Sequence, residues 1–138
     1  QVTYHGPQQI IVYILIDLKR LDFSIRELVT RIENGVINYL ANLGISANGD
    51  RDAPGVYVAG KKIASLGLKI RKGCSYHGLS FNFNLDKTPF SYINPCGYSG
   101  LQVINLSELV TPDQELRMDK EAQQLAHGLN SLIYTSNK

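Results

Sequence analysis

The predicted fold depends most on one stretch of the sequence, K-I-A-S-L-G-L-K-I-R-K-G-C-S-Y-H-G-L-S-F-N-F-N-L-D, residues 62–86. Apolar and polar residues alternate over 62–72 and again over 79–86, which is the pattern of strands with one buried face. The residues predicted to face the core are Ala64, Leu66, Leu68, Ile70, Leu79, Phe81, Phe83 and Leu85. We therefore predict two half-buried strands with a loop over 73–78.

Lys62 stands at the beginning of the first of these strands. It has the parity of the apolar face, so its side chain points inward if the register holds as far as Ile70. Ile63 interrupts the alternation at this point. A lysine beside a turn more often lies in solvent, and both placements stay open.

Outside this stretch, the patterns indicate further strands and a helix. The continuous apolar run at 10–17 is rich in β-branched residues and predicts a strand buried on both faces. Over 24–43, Ser24 and Glu27 form a capping box, and Gly44 provides a stop signal, so a helix is predicted. Its apolar stripe comprises Ile25, Leu28, Val29, Ile32, Val36, Leu40 and Leu43.

Three more elements complete the prediction. Residues 56–59 read as a short strand and 106–110 as a helical turn. A helix start at Thr111 is followed by an apolar stripe that continues toward the C-terminus. Strands and helices without a regular βαβ rhythm predict one α+β or mixed α/β domain.

The composition is that of a globular protein. The 138 residues are 43% hydrophobic and carry a net charge of +2, far from the excess positive charge of a nucleic-acid-binding domain. No apolar run approaches the roughly 20 residues of a membrane-spanning helix. With two cysteines and no signal-peptide pattern, we expect free thiols and a cytoplasmic protein. Because the chain starts at Gln1 without a methionine, we expect residues to be missing upstream.

A turn-rich segment carries the most informative cysteine. In P-F-S-Y-I-N-P-C-G-Y-S-G, residues 89–100, Pro95 fixes its own φ and Gly97 permits a turn. A thiol held at the tip of such a loop suits a nucleophile. A free cysteine is otherwise most often a small buried side chain, and for Cys96 this segment alone leaves both interpretations open.

A nucleophilic Cys96 would need a partner that favours the thiolate. A thiol with a pKa near 8.5 is mostly protonated at neutral pH, and a nearby ammonium such as that of Lys62 stabilises the thiolate. The alternative partners are His77 and His5, since both lie in a Tyr-His-Gly tripeptide and a Cys–His pair is a common nucleophile arrangement. Either histidine, taken alone, is better explained by hydrogen bonding to the local backbone.

Other kinds of site are weakly indicated or not at all. Lys61, Lys69, Arg71 and Lys72 form a basic cluster, which is either a solvated strand face or a docking patch for an acidic protein. The cysteines and histidines lack zinc-ligand spacing, and no phosphate-binding loop or dinucleotide fingerprint is present.

Five blocks of the sequence combine into a recognisable pattern. They are Q-V-T-Y-H-G-P (1–7), A-P-G-V-Y-V (53–58), G-K-K-I-A-S-L-G (60–67), Y-H-G-L (76–79) and I-N-P-C-G-Y (93–98). In this order they resemble the lipoyl(octanoyl) transferases, the octanoyl-[acyl-carrier-protein]:protein N-octanoyltransferases of lipoate biosynthesis. The resemblance runs from Gln1 to about Gly100.

The resemblance implies the α/β fold, with a mixed α+β sheet, of biotin and lipoate protein ligases, as a single catalytic domain over 1–138. Cys96 would take an octanoyl group from acyl carrier protein as a thioester. It would pass the group to a lysine of a lipoyl domain of a 2-oxoacid dehydrogenase or of the glycine-cleavage protein. Lys62 matches the lysine that tunes the thiol and shuttles protons. No metal, nucleotide or other cofactor is implied, since the thioester already carries the activation.

Three segments match the substrate-contacting walls of the family. The residues concerned are Gln1, Val2, Thr3, Tyr4, His5, Ser65, Leu66, Gly67, His77, Gly78, Leu79 and Ser80. An apolar tunnel would suit the acyl chain, with Leu66, Leu79, Phe81 and Phe83 as its walls.

Two departures from the family pattern bear on these expectations. The Arg-Gly-Gly that opens the family motif, and the N-terminal part of the domain, are absent before Gln1. Gln8 stands where the family has glycine, so a positive φ there would strain the turn. Two alternatives to an octanoyltransferase are a ligase or hydrolase of acyl groups and a non-catalytic fragment that binds acyl groups or a carrier protein.

Overall fold

The computed structural model describes residues 8–50, 52–84, 86, 102–111, 113–114 and 116–134, together with the backbone of 2–5. Six strands form one sheet in the order β1-β2-β6-β5-β4-β3, and neighbouring strands are antiparallel. The strands are β1 (Val2–His5), β2 (Gln9–Tyr13), β3 (Asn48–Gly49), β4 (Gly55–Val58), β5 (Lys61–Arg71) and β6 (Cys74–Asn82). The helices are α1 (Leu18–Leu21), α2 (Ile25–Asn42) and α3 (Met118–Tyr134), and a 3₁₀ turn covers Leu106–Glu108, where a helical turn was predicted.

The core lies between one face of the sheet and helices α2 and α3. The sheet contributes Ile10, Val12, Ala64, Leu79 and Phe81, which are all buried. The register places these five residues on one face, because Phe81 pairs with both Ile10 and Ala64, and Leu79 pairs with Val12. The two helices approach each other closely where Gly35 of α2 meets Leu129 of α3.

Helix α2 begins and ends as predicted. The Ser24 hydroxyl accepts a hydrogen bond from the Glu27 N–H at 3.0 Å, and Gly44 follows the last turn with a φ of +80°. Leu28, Ile32, Val36 and Leu40 are fully buried, which confirms the predicted stripe. Ile25 is an exception, since it lies in the first turn and is 51% exposed.

Helix α3 begins at Met118, later than the predicted start at Thr111. The Thr111 N–H donates to Gln114 Oε1 at 3.1 Å, and the Gln114 N–H donates back to the Thr111 carbonyl at 3.0 Å. These bonds close an isolated turn, so the capping signal was real but did not start the helix. Within the ranges given above, no helix is both long and apolar enough to span a bilayer.

In the hairpin formed by β5 and β6, the second strand is longer than predicted. The loop expected over 73–78 is a two-residue turn, Lys72-Gly73, with φ values of +52° and +80°. Both values are positive, as in the tight turns that suit hairpins. Strand β6 therefore starts at Cys74, and Gly78 lies inside it. A Cβ on Gly78 would overlap the Val12 carbonyl. This glycine is therefore needed because the backbone of β2 lies close to it, and not because the chain turns there.

The apolar run at 10–17 is buried on one face only, which corrects the prediction of burial on both faces. Ile10, Val12 and Ile14 are buried, whereas Tyr13 is 40% and Leu15 is 58% exposed. The reason is that α2 and α3 cover a single face of the sheet in the described part of the chain. The opposite face carries the candidate site.

Candidate active site

A β-bulge determines which way Lys62 faces. Val56 of β4 pairs with Ala64, and the next residue, Tyr57, pairs with Lys62, which leaves Ile63 as an extra residue in β5. Consecutive residues of β4 face opposite sides of the sheet, so Lys62 faces away from Ala64 and from the core. Of the two placements that the sequence left open, the inward one is therefore wrong. Ile63 is fully buried in its place.

The Lys62 side chain lies across Gly55 and toward Tyr57. A Cβ added to Gly55 would lie 3.2 Å from Lys62 Cε and 3.7 Å from Lys62 Nζ. The same Nζ is 5.7 Å from the centroid of the Tyr57 ring. Because Gly55 pairs with Ser65, the ammonium group lies beside the sheet position of Ser65.

Hydrogen bonds hold the surface on which this lysine lies. The Gly55 N–H donates to Glu33 Oε2 of α2 at 2.9 Å, and the Tyr57 hydroxyl donates to the Ala53 carbonyl at 3.0 Å. Burial raises the pKa of Tyr57, and the negative charges of Asp50 and Glu33 raise it further. Tyr57 therefore presents a neutral, fixed ring to the lysine at neutral pH.

A groove of about 370 Å³ crosses this same face of the sheet. Its lining residues are Ile11, Tyr13, Ser65, Leu66, Gly67, His77, Gly78, Leu79 and Ser80. Gly67 and Gly78 pair directly across β5 and β6, so the groove floor has no side chains there. The segments 65–67 and 77–80, which were expected to contact substrate, lie side by side.

The two phenylalanines expected in the tunnel wall are in the core. Phe81 and Phe83 are buried, and the Phe81 ring makes an edge contact with Tyr39 of α2 at a centroid distance of 5.7 Å. Leu66 and Leu79 pair with each other on this same core-facing side, so they border the groove through their backbone and not through their side chains. The alternation predicted the buried side of β6 correctly, but that side is covered by helices and lies away from Lys62.

Two further segments approach Lys62 and the groove through their backbones. Thr3 of β1 pairs with Ile11. The Lys62 N–H donates to the Gln102 carbonyl at 2.9 Å, and the Ile104 N–H donates to the Lys62 carbonyl at 3.0 Å. The chain thus passes beside Lys62 a few residues after position 96.

Several predicted site residues lie outside the described residues. These are Cys96, Gln1 and the side chains of Val2, Thr3, Tyr4 and His5. His77 is described; it is exposed, has a φ of +67°, and lines the groove. No group of three or more histidine, cysteine, aspartate or glutamate side chains suited to a metal ion occurs among the residues that the structure covers.

Part of the basic cluster borders a second cavity. This cavity, of about 650 Å³, shares Tyr13 and His77 with the groove and is also lined by Lys69 and Arg71. Both cations are exposed, whereas Lys61 is half-buried next to the turn at the start of β5. The charges of Lys69 and Arg71 therefore lie beside the groove, whereas Lys72 is in the turn between β5 and β6.

Sequence reasoning missed two residues of this site. Asn82 was predicted on the solvated face of its strand but is only 6% exposed, because the chain at 102–104 lies over it. Gly55 was read only as part of a family block. The available signal was a glycine directly after Pro54 and next to a predicted strand. The structure shows that a side chain is excluded there, since Gly55 has a φ of +148° and packs against Lys62 and Ala64.

The sequence comparisons identify the family of the chain. Residues 1–130 match the family described as the lipoyl protein ligase A/B catalytic domain. The chain is 61% identical over 109 residues to a protein of Chromobacterium violaceum named octanoyltransferase, covering 79% of this chain and 53% of the relative. It is 55% identical over 134 residues to an octanoyltransferase of Hydrogenovibrio crunogenus, covering 96% of this chain and 64% of the relative. The chain therefore spans between about half and two thirds of these relatives.

Solved structures show the same fold at low sequence identity. A bipartite lipoate protein ligase of Thermoplasma acidophilum superposes with a TM-score of 0.71 at 17% identity, covering 97% of this chain and 55% of the ligase. The biotin protein ligase of Aquifex aeolicus superposes with a TM-score of 0.69 at 13% identity, covering 91% of this chain and 52% of that enzyme. The predicted fold class is confirmed. With its sheet, its groove and the match over 1–130, the chain belongs to the lipoyl protein ligase A/B catalytic domain family.

Proposed function

We propose that the protein is an acyltransferase that moves an octanoyl group from acyl carrier protein to a lysine of a lipoyl domain, in lipoate biosynthesis. The acceptor domains are those of 2-oxoacid dehydrogenases and of the glycine-cleavage H protein. Identity of 61% and 55% to proteins named octanoyltransferase supports this activity. The structural observation that carries it is the bulge at Ile63, which turns Lys62 onto the groove face.

The proposed reaction has two steps through a thioester on Cys96. The Cys96 thiolate attacks the carbonyl carbon of the acyl-carrier thioester, a new S–C bond forms, and the carrier thiolate leaves and takes up a proton. The amine of the target lysine then attacks the Cys96 thioester. An amide forms, the amine loses a proton, and the Cys96 sulfur is released. The donor thioester supplies the activation, so neither ATP nor a metal takes part.

Lys62 supports both steps through its charge and its protons. As an ammonium it favours the thiolate before attack, and it can give a proton to the departing carrier thiolate. As an amine it can accept the proton that the target lysine loses in the second step. The Tyr57 ring lies 5.7 Å from Lys62 Nζ and makes a cation–π contact that helps to position the ammonium group.

The groove has the size and chemistry expected for a medium-length acyl chain. Its volume of about 370 Å³ falls in the usual range for small-molecule sites, about 300–1,000 Å³. The opposed Gly67 and Gly78 allow a chain to lie directly on the backbone, and Ile11 and Tyr13 provide apolar contacts.

The proposed partners are acidic proteins, and charge supports their docking on this face. Lys69 and Arg71 are exposed beside the groove, where they would speed the encounter with a negatively charged carrier. As part of the same proposal, we place the reaction in the cytoplasm.

The test is to incubate the protein with octanoyl acyl carrier protein and measure its intact mass. We expect one octanoyl adduct that is lost on treatment with hydroxylamine and is absent in Cys96→Ala. Cys74→Ala is the matched control, because Cys74 is half-buried in β6, and it should be loaded normally. An absent adduct in the wild type, or an adduct that persists in Cys96→Ala, would contradict the proposal.

A second pair of variants tests the role of Lys62. Lys62→Ala should remain folded and load octanoate at least about 100-fold more slowly, which is the low end of what a positioned acid–base group supplies. Lys61→Ala removes the same charge one residue away and should load at the wild-type rate. Equal loading rates in the two variants would show that Lys62 has no role in the mechanism, without affecting the proposal that Cys96 is the nucleophile.

A further inference from the structure

The buried carboxamide of Asn82 connects three separate segments of the chain next to Lys62. Its Oδ1 accepts a hydrogen bond from Gln9 Nε2 of β2 at 3.2 Å. Its Nδ2 donates to the Lys62 carbonyl of β5 and to the Ile104 carbonyl, each at 3.3 Å. The direction of the amide is determined by its partners, because both carbonyls can only accept and must face the NH₂ group.

These bonds lie where the regular ladder of the sheet is interrupted. Lys62 is the last residue before the bulge at Ile63, so the pairing of β5 with β4 is irregular there. The Lys62 backbone is instead bonded to the segment 102–104, through the Gln102 carbonyl and the Ile104 N–H. Asn82 ties both sides of this junction together, since its NH₂ group binds one carbonyl of each.

We propose that Asn82 is a positioning residue that holds the backbone of Lys62 and the segment 102–104 in one fixed arrangement. This inference rests on the proposed function, in which Lys62 must meet the sulfur of Cys96. The junction determines where the Lys62 side chain starts. It also determines where the chain lies a few residues after position 96.

Asparagine is well suited to this position. Aspartate has the same shape but would place a second acceptor against two carbonyl oxygens. Leucine has a similar size and no polar atoms, so it would leave the Ile104 carbonyl without its side-chain donor. Removal of one partner of a buried polar group is costly because the remaining group stays desolvated.

The experiment compares Asn82→Leu with Asn84→Leu. Asn84 lies two residues further along the chain, is exposed, and accepts a hydrogen bond from the Ser107 hydroxyl at 2.8 Å. Octanoyl loading from acyl carrier protein is measured by mass. The pH dependence of Cys96 alkylation by iodoacetamide is measured by peptide mapping, which separates Cys96 from Cys74. The melting temperature of each variant is recorded in the same buffers.

We expect Asn82→Leu to load about 100-fold more slowly, as for a misplacement of about 1 Å at a reacting group. Its alkylation profile should move to higher pH, in the same direction as that of Lys62→Ala. Asn84→Leu should match the wild type in both measurements. A purely structural role for Asn82 would lower the melting temperature and leave the alkylation profile unchanged, and that result would overturn the inference.

If Asn82→Leu does not fold, Gln9→Leu decides the question. This variant removes the hydrogen bond to Asn82 Oδ1, which helps to hold the carboxamide in place, and keeps the asparagine itself. It should slow loading about tenfold and move the alkylation profile in the same direction, and wild-type behaviour in Gln9→Leu would overturn the inference. A wild type that is never loaded refutes the proposed function. In that case the alkylation profiles alone decide whether Asn82 acts on the Lys62 junction.

Discussion

Lys62 Nζ lies 5.7 Å from the centroid of the Tyr57 ring, and the two residues are direct partners across β5 and β4. This pairing exists because the bulge adds Ile63 to β5. Without the extra residue, the register would pair Tyr57 with Ile63 and would turn Lys62 to the core face with Ala64. The aromatic contact and the position of the lysine on the groove face therefore have one structural cause.

The first prediction concerns the aromatic ring. Tyr57→Leu removes the cation–π contact, which is worth about 0.5–1 kcal/mol at such a site, so octanoyl loading should slow about two- to fivefold. Tyr57→Phe keeps the ring and loses only the hydroxyl, and should load at nearly the wild-type rate. Rates are measured by mass spectrometry at pH 7. Equal losses in both variants would show that the hydroxyl matters and the ring does not.

The second prediction concerns the room left for Lys62 by Gly55. An alanine here would place its Cβ 2.7 Å from the Ala64 carbonyl oxygen and against the lysine side chain, at a φ of +148°. Gly55→Ala should lower the free energy of unfolding by about 3 kcal/mol. Gly60→Ala is the control, since its φ is +79° with nothing within 4 Å, and it should cost only about 1 kcal/mol. Urea denaturation distinguishes the two, and equal costs would mean that backbone strain alone explains Gly55.

The third prediction concerns the floor of the groove. Gly67 has open space within 4 Å of an added Cβ, so Gly67→Ala should fold normally and place a methyl group where the acyl chain is proposed to lie. We expect unchanged urea denaturation and about tenfold slower loading, the effect of roughly one misplaced methylene. Gly78→Ala should instead fail to fold well, because its Cβ would overlap the Val12 carbonyl. Normal loading in Gly67→Ala would place the acyl chain elsewhere.

The fourth prediction concerns the strain at Gln8. Its φ is +72°, so the condition under which glutamine was expected to strain the turn is met. Gln8→Gly should relieve about 1–2 kcal/mol of strain. The greater freedom of glycine in the unfolded chain costs about 0.5–1 kcal/mol, so the variant should be more stable by about 0.5–1 kcal/mol. Gln8→Val should be less stable than the wild type. Urea midpoints are the measurement, and a destabilised glycine variant would contradict this explanation.

The fifth prediction concerns the buried pair between the two long helices. The Tyr39 hydroxyl donates to Glu121 Oε1 at 2.5 Å, and burial, followed by the hydrogen bond and charge of Glu121, raises the pKa of Tyr39. Tyr39→Phe leaves the Glu121 carboxyl without this donor and should cost about 1–3 kcal/mol at pH 7. Tyr134→Phe, at the exposed end of α3, should cost nothing measurable in the same urea titration.

The contribution of the same pair to stability should depend on pH in the alkaline range. An unfolded tyrosine ionises near pH 10, whereas folded Tyr39 stays protonated. Its contribution to stability is therefore complete below about pH 10 and is lost as the pH rises further. The stability difference between wild type and Tyr39→Phe should shrink above pH 10. A difference that stays constant up to pH 11 would show that Tyr39 ionises as in the unfolded chain.

Much of the fold was predictable because the signals are local. The Ser24 cap, the stop at Gly44 and the stripe of α2 depend only on residues within one or two turns of each other. The alternation in β6 similarly predicted that Leu79, Phe81 and Phe83 are buried. The family blocks likewise identified residues 65–67 and 77–80, which the sheet brings together into one groove.

The errors at the candidate site concern which side of the sheet a residue faces, and that depends on a neighbouring strand or segment. The parity of Lys62 was read correctly along its own strand, but the extra Ile63 is visible only in the pairing with β4. Asn82 has the pattern of a solvated residue, and it is buried because the segment 102–104 lies beside it. Helix periodicity and capping depend on residues that are close in the sequence, so the sequence alone determines them. The face that a strand residue takes near a bulge depends on contacts between residues far apart in the chain, so only the tertiary structure decides it.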